Sequence, residues 1–255
     1  MPWNVDLLIR YSENLNRVNN LVRVYESHPD SKGKGRKNVQ TTDVLRASVV
    51  LLHATFEDMC RTIERELLPL ASEDVLNEIP LLGISRHGRP EKFFLGKLVS
   101  YRGRTVDEII ARSVEAHLDL VSYNSVEDFC AFLTRVGFCK GPFEPFLTQL
   151  ASLMNRRHHI VHQADRSKKR GPGHQQAKSL SRDAVRGWVS CVHKIHGELN
   201  QQYCGKRVSS CQIDGGPGFG PSDLRQAPLP CNCADSNLRR AGSCAKIRTC
   251  AGDTL

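Results

Sequence analysis

The chain has 255 residues, 40% of them hydrophobic and 25% charged, with a formal net charge of +9. That is enough apolar material for one generous domain, or a domain with a tail, and it excludes a chain disordered throughout. The positive balance favours an anionic partner such as RNA, DNA or an acidic protein, and no run of about 18 apolar residues reads as a transmembrane helix.

The first residues, Met1-Pro-Trp-Asn-Val-Asp, lack the basic and apolar regions of a signal peptide, so a cytoplasmic protein with reduced cysteines is expected. Up to Tyr25, apolar residues such as Val5, Leu8, Leu15, Val18, Leu21 and Val22 recur mostly three or four apart, as in an amphipathic helix. A polar, basic loop follows over 27–37. Thr41-Thr42-Asp43 offers N-cap chemistry for a long helix reaching about Leu68, with Val44, Leu45, Val49, Leu51, Leu52, Phe56, Met59, Ile63 and Leu67 on its wide apolar face.

Short helices are expected over 74–79 and 93–99, with a loop at 85–92. Thr105 starts a helix to about Val121. Ser125 caps another, Val126 to Val136, which Gly137 ends; 138–142 reads as a turn. Phe143 to about Gln163 forms the next helix. The basic, Gly-Pro-containing stretch 166–176 is a linker, and Ser181 to about Tyr203 closes the set with Val185, Trp188, Val189, Val192, Ile195 and Leu199 on one side. No period-2 alternation occurs over 1–203, so the fold class is all-α, a helical bundle. From Cys204 the composition changes. Cys204, Cys211, Cys231, Cys233, Cys244 and Cys250 share this end with a Gly/Pro cluster, and hydrophobic periodicity stops. Residues 204–255 are expected to be a disordered tail.

The chemistry concentrates in Arg156-Arg157-His158-His159-Ile160-Val161-His162. A guanidinium's planar fork suits phosphate oxygens, and imidazole moves protons near neutral pH. Together they point to a phosphodiester. The bland reading is a basic cluster favoured by the dipole at a helix C-terminus. His158 and His162 share a helix face, which also suits a metal. Yet His159 stands where a zincin needs Glu, and Cys231-x-Cys233 and Cys244-x5-Cys250 are not paired C-x2-C units. No metal or cofactor is expected.

The segment from Leu150 to Asp165 resembles the last-but-one helix of HEPN domains, whose hallmark is Arg-x(4–6)-His with Asn, Asp or His directly after the Arg. Here it is Arg157-His158-x3-His162, and "RRHxIVHxAD" is similar to the RNase-toxin-like prokaryotic branch. Arg46 to Cys60 is similar to the long second helix of that branch, where an apolar run leads into an acidic residue.

The resemblance covers about residues 1–203. It implies a HEPN-like bundle and a homodimer joined through the motif-bearing helix. It also implies metal-independent cleavage of RNA to 2′,3′-cyclic phosphate and 5′-OH ends. His162 is then the proton carrier, Arg157 the phosphate clamp and His158 an orienting group. Glu57, in the second helix, reads equally as a group that orients or tunes the histidine and as a solvated or interface carboxylate.

Arg156, Lys168, Lys169 and Arg170 are expected to hold the RNA backbone; the bland alternative for the basic run is a solvated loop. His53 reads as a core or interface histidine, and Asp165 as supportive or exposed. A defence or toxin–antitoxin setting, with a cognate antitoxin as partner, comes from the resemblance alone. The alternative is a silent HEPN module that binds RNA or a protein. Arg157 and His162 lie about 140° apart on an ideal helix, so one copy is expected to supply half a site.

Overall fold

The computed structural model describes residues 5–29, 38–81, 95–166 and 177–211. All belong to the unit Met1–Ile213. Most of the tail, the loop expected over 85–92 and the run carrying Lys168, Lys169 and Arg170 lie outside the described residues.

The class is all-α. In chain order the helices are α1 (Val5–Ser27), α2 (Val39–Leu67), α3 (Glu73–Leu76), α4 (Val106–Leu118), α5 (Val126–Arg135), α6 (Glu144–Gln163) and α7 (Arg182–Cys211). Short 3-10 turns cover Leu68–Leu70, Leu95–Tyr101 and Gly141–Phe143. Among the described residues there is no strand; Arg166 and Ala177 form an isolated antiparallel bridge. None of the described helices is long and apolar enough to cross a membrane.

α2 is the central element and touches α1, α4, α5, α6 and α7. Its sequence explains why. Leu45, Val49, Leu52, Phe56, Met59 and Ile63 alternate steps of four and three, and all are buried. That spacing keeps one stripe inward along the whole helix. Val185, Trp188, Val192, Ile195, Leu199 and Tyr203 do the same on α7. At the α5 end of the core, Phe129 lies 5.3 Å from Phe56, 5.7 Å from Phe132 and 5.5 Å edge-on from Phe143. A smaller cluster, Leu68, Val114 and Leu118, seats α4.

Local signals fix several helix ends. Thr105 with Glu108, and Ser125 with Asp128, form complete capping boxes. α5 ends on Gly137 at φ 66°, with Phe138 N–H bonded to Leu133 O and Gly137 N–H to Thr134 O, a Schellman motif. α2 begins earlier than expected: its cap is Asn38, whose side chain accepts from Gln40 N–H, and Thr41 and Thr42 lie buried inside the first turn. α7 runs on to Cys211, beyond the composition change at Cys204.

Buried charge is paired. The fully buried Glu64 accepts from Tyr123 Oη and from Arg135 Nε at 2.6 Å. This joins α2 to α5 and to the α4–α5 connection that contributes to the site described next.

Candidate functional site

Successive residues on a helix leave its axis about 100° apart. Arg156, Arg157 and His158 on α6 therefore face three ways, and each direction has its own chemistry.

Arg156 turns toward the chain beyond the helix. Its Nη2 bonds the Asp165 carboxylate at 2.6 Å and the Lys178 carbonyl at 3.1 Å, and its side chain is only 14% exposed. Arg46 of α2 bonds the same carboxylate oxygen, Nε to Oδ2 at 2.8 Å, and also bonds the Lys178 carbonyl at 2.9 Å. Asp165 is completely buried. Its backbone N–H bonds the His159 carbonyl, and its own carbonyl accepts from Lys178 N–H.

Two cations from two helices thus converge on one carboxylate and pin the turn after α6. Ala164 and Asp165 in that turn adopt φ 47° and 54°. Such left-handed geometry is costly for residues with a Cβ and persists where surrounding contacts enforce it. Arg156 is thus occupied by a buried carboxylate rather than presented to RNA, as had been expected, and of the two roles expected of Asp165, supportive or exposed, it takes the supportive one.

Arg157 turns toward α2 and the α4–α5 connection. Its Nη1 donates to Asn124 Oδ1 at 3.1 Å, and the side chain is partly buried. Among the described residues no carboxylate pairs with it. Its charge lies near His53 of α2, whose Nε2 is 3.2 Å from the Tyr123 carbonyl. The ring must donate there, which leaves Nδ1 as the lone-pair nitrogen, 3.9 Å from Glu57 Oε2. Glu57 is held in turn by Arg61, Nη2 to Oε1 at 2.9 Å, and Arg61 also bonds the Val121 carbonyl and lies over the Tyr123 ring.

Glu57 therefore keeps company with His53 and Arg61, not with His162. His53, Glu57 and Arg61 are four apart on one face of α2, a spacing that could have been read as a cluster in the sequence. Asn124 carries no such signal.

His158 and His162 form the third group. Both are exposed, and their ring centroids are 4.7 Å apart. The shared face expected from their spacing is present. No hydrogen bond joins Arg157 to His162 among the described residues. His159 sits between the faces, its Nδ1 2.9 Å from Gln163 Oε1. The described residues contain no group of three or more His, Cys, Asp or Glu that could hold a metal ion.

Burial first, and then the Arg157 charge, pushes the His53 imidazole down to about 4, against the bond to Tyr123. The site thus holds a neutral ring beside the cation rather than a second positive charge. His196 of α7, stacked on Tyr11 with centroids 3.8 Å apart, is likewise pushed down to about 4 by burial and by His193.

Both rings bind protons more weakly in the fold than at the ordinary value of 6.5. The unfolded chain therefore takes up more protons between those limits, and stability should fall as pH drops from about 6.5 to about 4. Urea midpoints across that range should show this slope, and His53→Gln should flatten it. An unchanged slope in that variant would discard the desolvation account.

No family model matches the chain, and no match was found among curated proteins or solved structures.

Proposed function

We propose that this chain is a metal-independent endoribonuclease of the HEPN type, working as a homodimer joined through α6. The observation that carries the reading is the contrast between two adjacent arginines. Arg156 is neutralised by Asp165, whereas Arg157 has a neutral partner, Asn124, and keeps its charge for a ligand. A guanidinium held in place but uncompensated is what a phosphodiester needs as its charge develops. The exposed His158–His162 couple on the same helix supplies the proton chemistry.

In this reading His162 takes the proton of the RNA 2′-OH. The 2′-oxygen attacks phosphorus, the bond from phosphorus to the 5′-oxygen breaks, and the departing oxygen receives a proton from a second imidazole. The products are a 2′,3′-cyclic phosphate and a 5′-OH. Arg157 and His162 face apart on one helix, so the second copy completes the site. The HEPN-like arrangement of the bundle, a cytoplasmic setting and a cognate antitoxin belong to the same proposal.

Purified protein should cut single-stranded RNA in EDTA and leave cyclic-phosphate ends. Strict dependence on added metal overturns the mechanism. Failure to cut any RNA favours the silent module that binds RNA or a protein.

A further inference from the structure

An open groove of about 710 Å³ lies between α6 and the start of α7, on the face opposite to Arg157's partners and unused by the chemistry above. Its floor is formed by Ala151, Ala184 and the buried Trp188. Two methyl-sized side chains beside an indole leave a low apolar surface. Its rim carries Ser152, Asn155 and Ser179, all exposed. Hydroxyls both donate and accept, and the carboxamide offers two N–H donors and a carbonyl oxygen. At one end stands His159, its Nδ1 engaged by Gln163 so that Nε2 remains for a ligand.

The charge of the groove narrows the ligand class. Arg156 borders it, but its guanidinium is held by Asp165. A free anion gains little here, whereas a flat, neutral ring with donors and acceptors along its edge fits both floor and rim. Position narrows it further. His159 is 6.2 Å from His158, edge to face, so the groove opens beside the histidine couple.

We infer that this groove is a nucleobase subsite, taking one base of single-stranded RNA whose neighbouring phosphate lies at the α6 histidines. The apolar floor covers the face of the base, and Ser152, Asn155 and Ser179 read its edge. The Arg46–Asp165–Arg156 triad, by fixing Lys178, holds the wall that carries Ser179. This inference rests on the ribonuclease reading for the origin of the base, but the groove can be tested without cleavage.

The chain has two tryptophans, so Trp3→Phe leaves Trp188 as the reporter. The four ribonucleoside 3′-monophosphates should be titrated against the full chain, with ribose 5-phosphate and inorganic phosphate as controls. At least one nucleotide should quench Trp188 saturably and shift the His159 ring protons, and neither control should. Ser152→Phe, which fills the groove from an exposed position, should weaken that binding at least tenfold with unchanged circular dichroism; Ser179→Leu serves if that variant does not fold.

The inference is overturned if no nucleotide binds, if phosphate or ribose 5-phosphate gives the same response, or if the filled groove binds equally well. A chain that binds nucleotides but cuts no RNA sinks only the ribonuclease reading. A chain that cuts RNA but fails these titrations sinks only the subsite.

Discussion

Asp165→Ala should cost about 3–5 kcal/mol of folding stability, because it removes the buried carboxylate that two guanidiniums share, leaving Arg156 without a carboxylate and Arg46 with only the exposed Asp43. For a domain of this size that is a fall in Tm of about 6–20 °C. Part of the loss is backbone: Asp tolerates the left-handed region that residue 165 occupies better than Ala does. Asp165→Asn separates the two effects. It keeps the shape and one acceptor oxygen but removes the charge, so it should lie between the parent and the Ala variant.

Arg46→Ala should cost less than Asp165→Ala, since Arg156 still pairs with the carboxylate. Chemical denaturation of the three variants tests the order. An Asp165→Ala loss below about 1 kcal/mol, the range of ordinary surface changes, would mean that the triad does not hold the turn.

That triad marks where the sequence stopped being legible. The central stripe of α2 and that of α7 are plain in a one-dimensional pattern, because burial of one helix face forces steps of three and four. Thr105, Ser125 and Gly137 were legible for a similar reason: cap chemistry is local, and each side chain or backbone angle acts within one turn.

The start of α2 was not. Asn38, Thr41, Thr42 and Asp43 all have cap chemistry, and nothing local ranks them. The choice is tertiary. Thr42 must lie inside the helix, where its hydroxyl bonds backbone carbonyls and receives Arg46 Nη1 at 2.9 Å. The turn after α6 gave no glycine to announce two left-handed residues, so the burial of Asp165 and the capture of Arg156 could not be read from spacing. Short 3-10 turns at 68–70 and 95–101 replace or continue helical expectations.

The candidate site divides along the same line. Helical spacing alone pairs His158 with His162 and turns Arg157 away from both. What it cannot supply is the partner across the fold. Asn124 reaches Arg157 because Glu64 anchors Tyr123, the residue before it, to the core. Glu57 belongs to His53 and Arg61 because all three ride one face of α2.

Arg157→Ala and His162→Ala are expected to give the largest losses of RNA cleavage while leaving the fold intact. Removing a positioned proton carrier costs about 10²–10⁴ in rate. Removing a donor to the developing phosphoryl charge costs about 10²–10³. Neither change should unfold the chain: His162 is exposed, and Arg157 loses one charge-assisted hydrogen bond, to the exposed Asn124, worth at most about 1.5–3 kcal/mol. That sets them apart from Asp165→Ala, whose loss of activity would follow its loss of structure. Unchanged helical circular dichroism with lost cleavage is the expected pair of results, and normal cutting by either variant removes that residue from the mechanism. Because the two side chains diverge on one helix, mixing the two inactive variants tests how the site is divided. If each site takes Arg157 from one copy and His162 from the other, a mixed dimer retains one intact site, and an equal mixture recovers about a quarter of the parent rate. If both residues act from the same copy, every site in the mixture is defective and nothing is recovered.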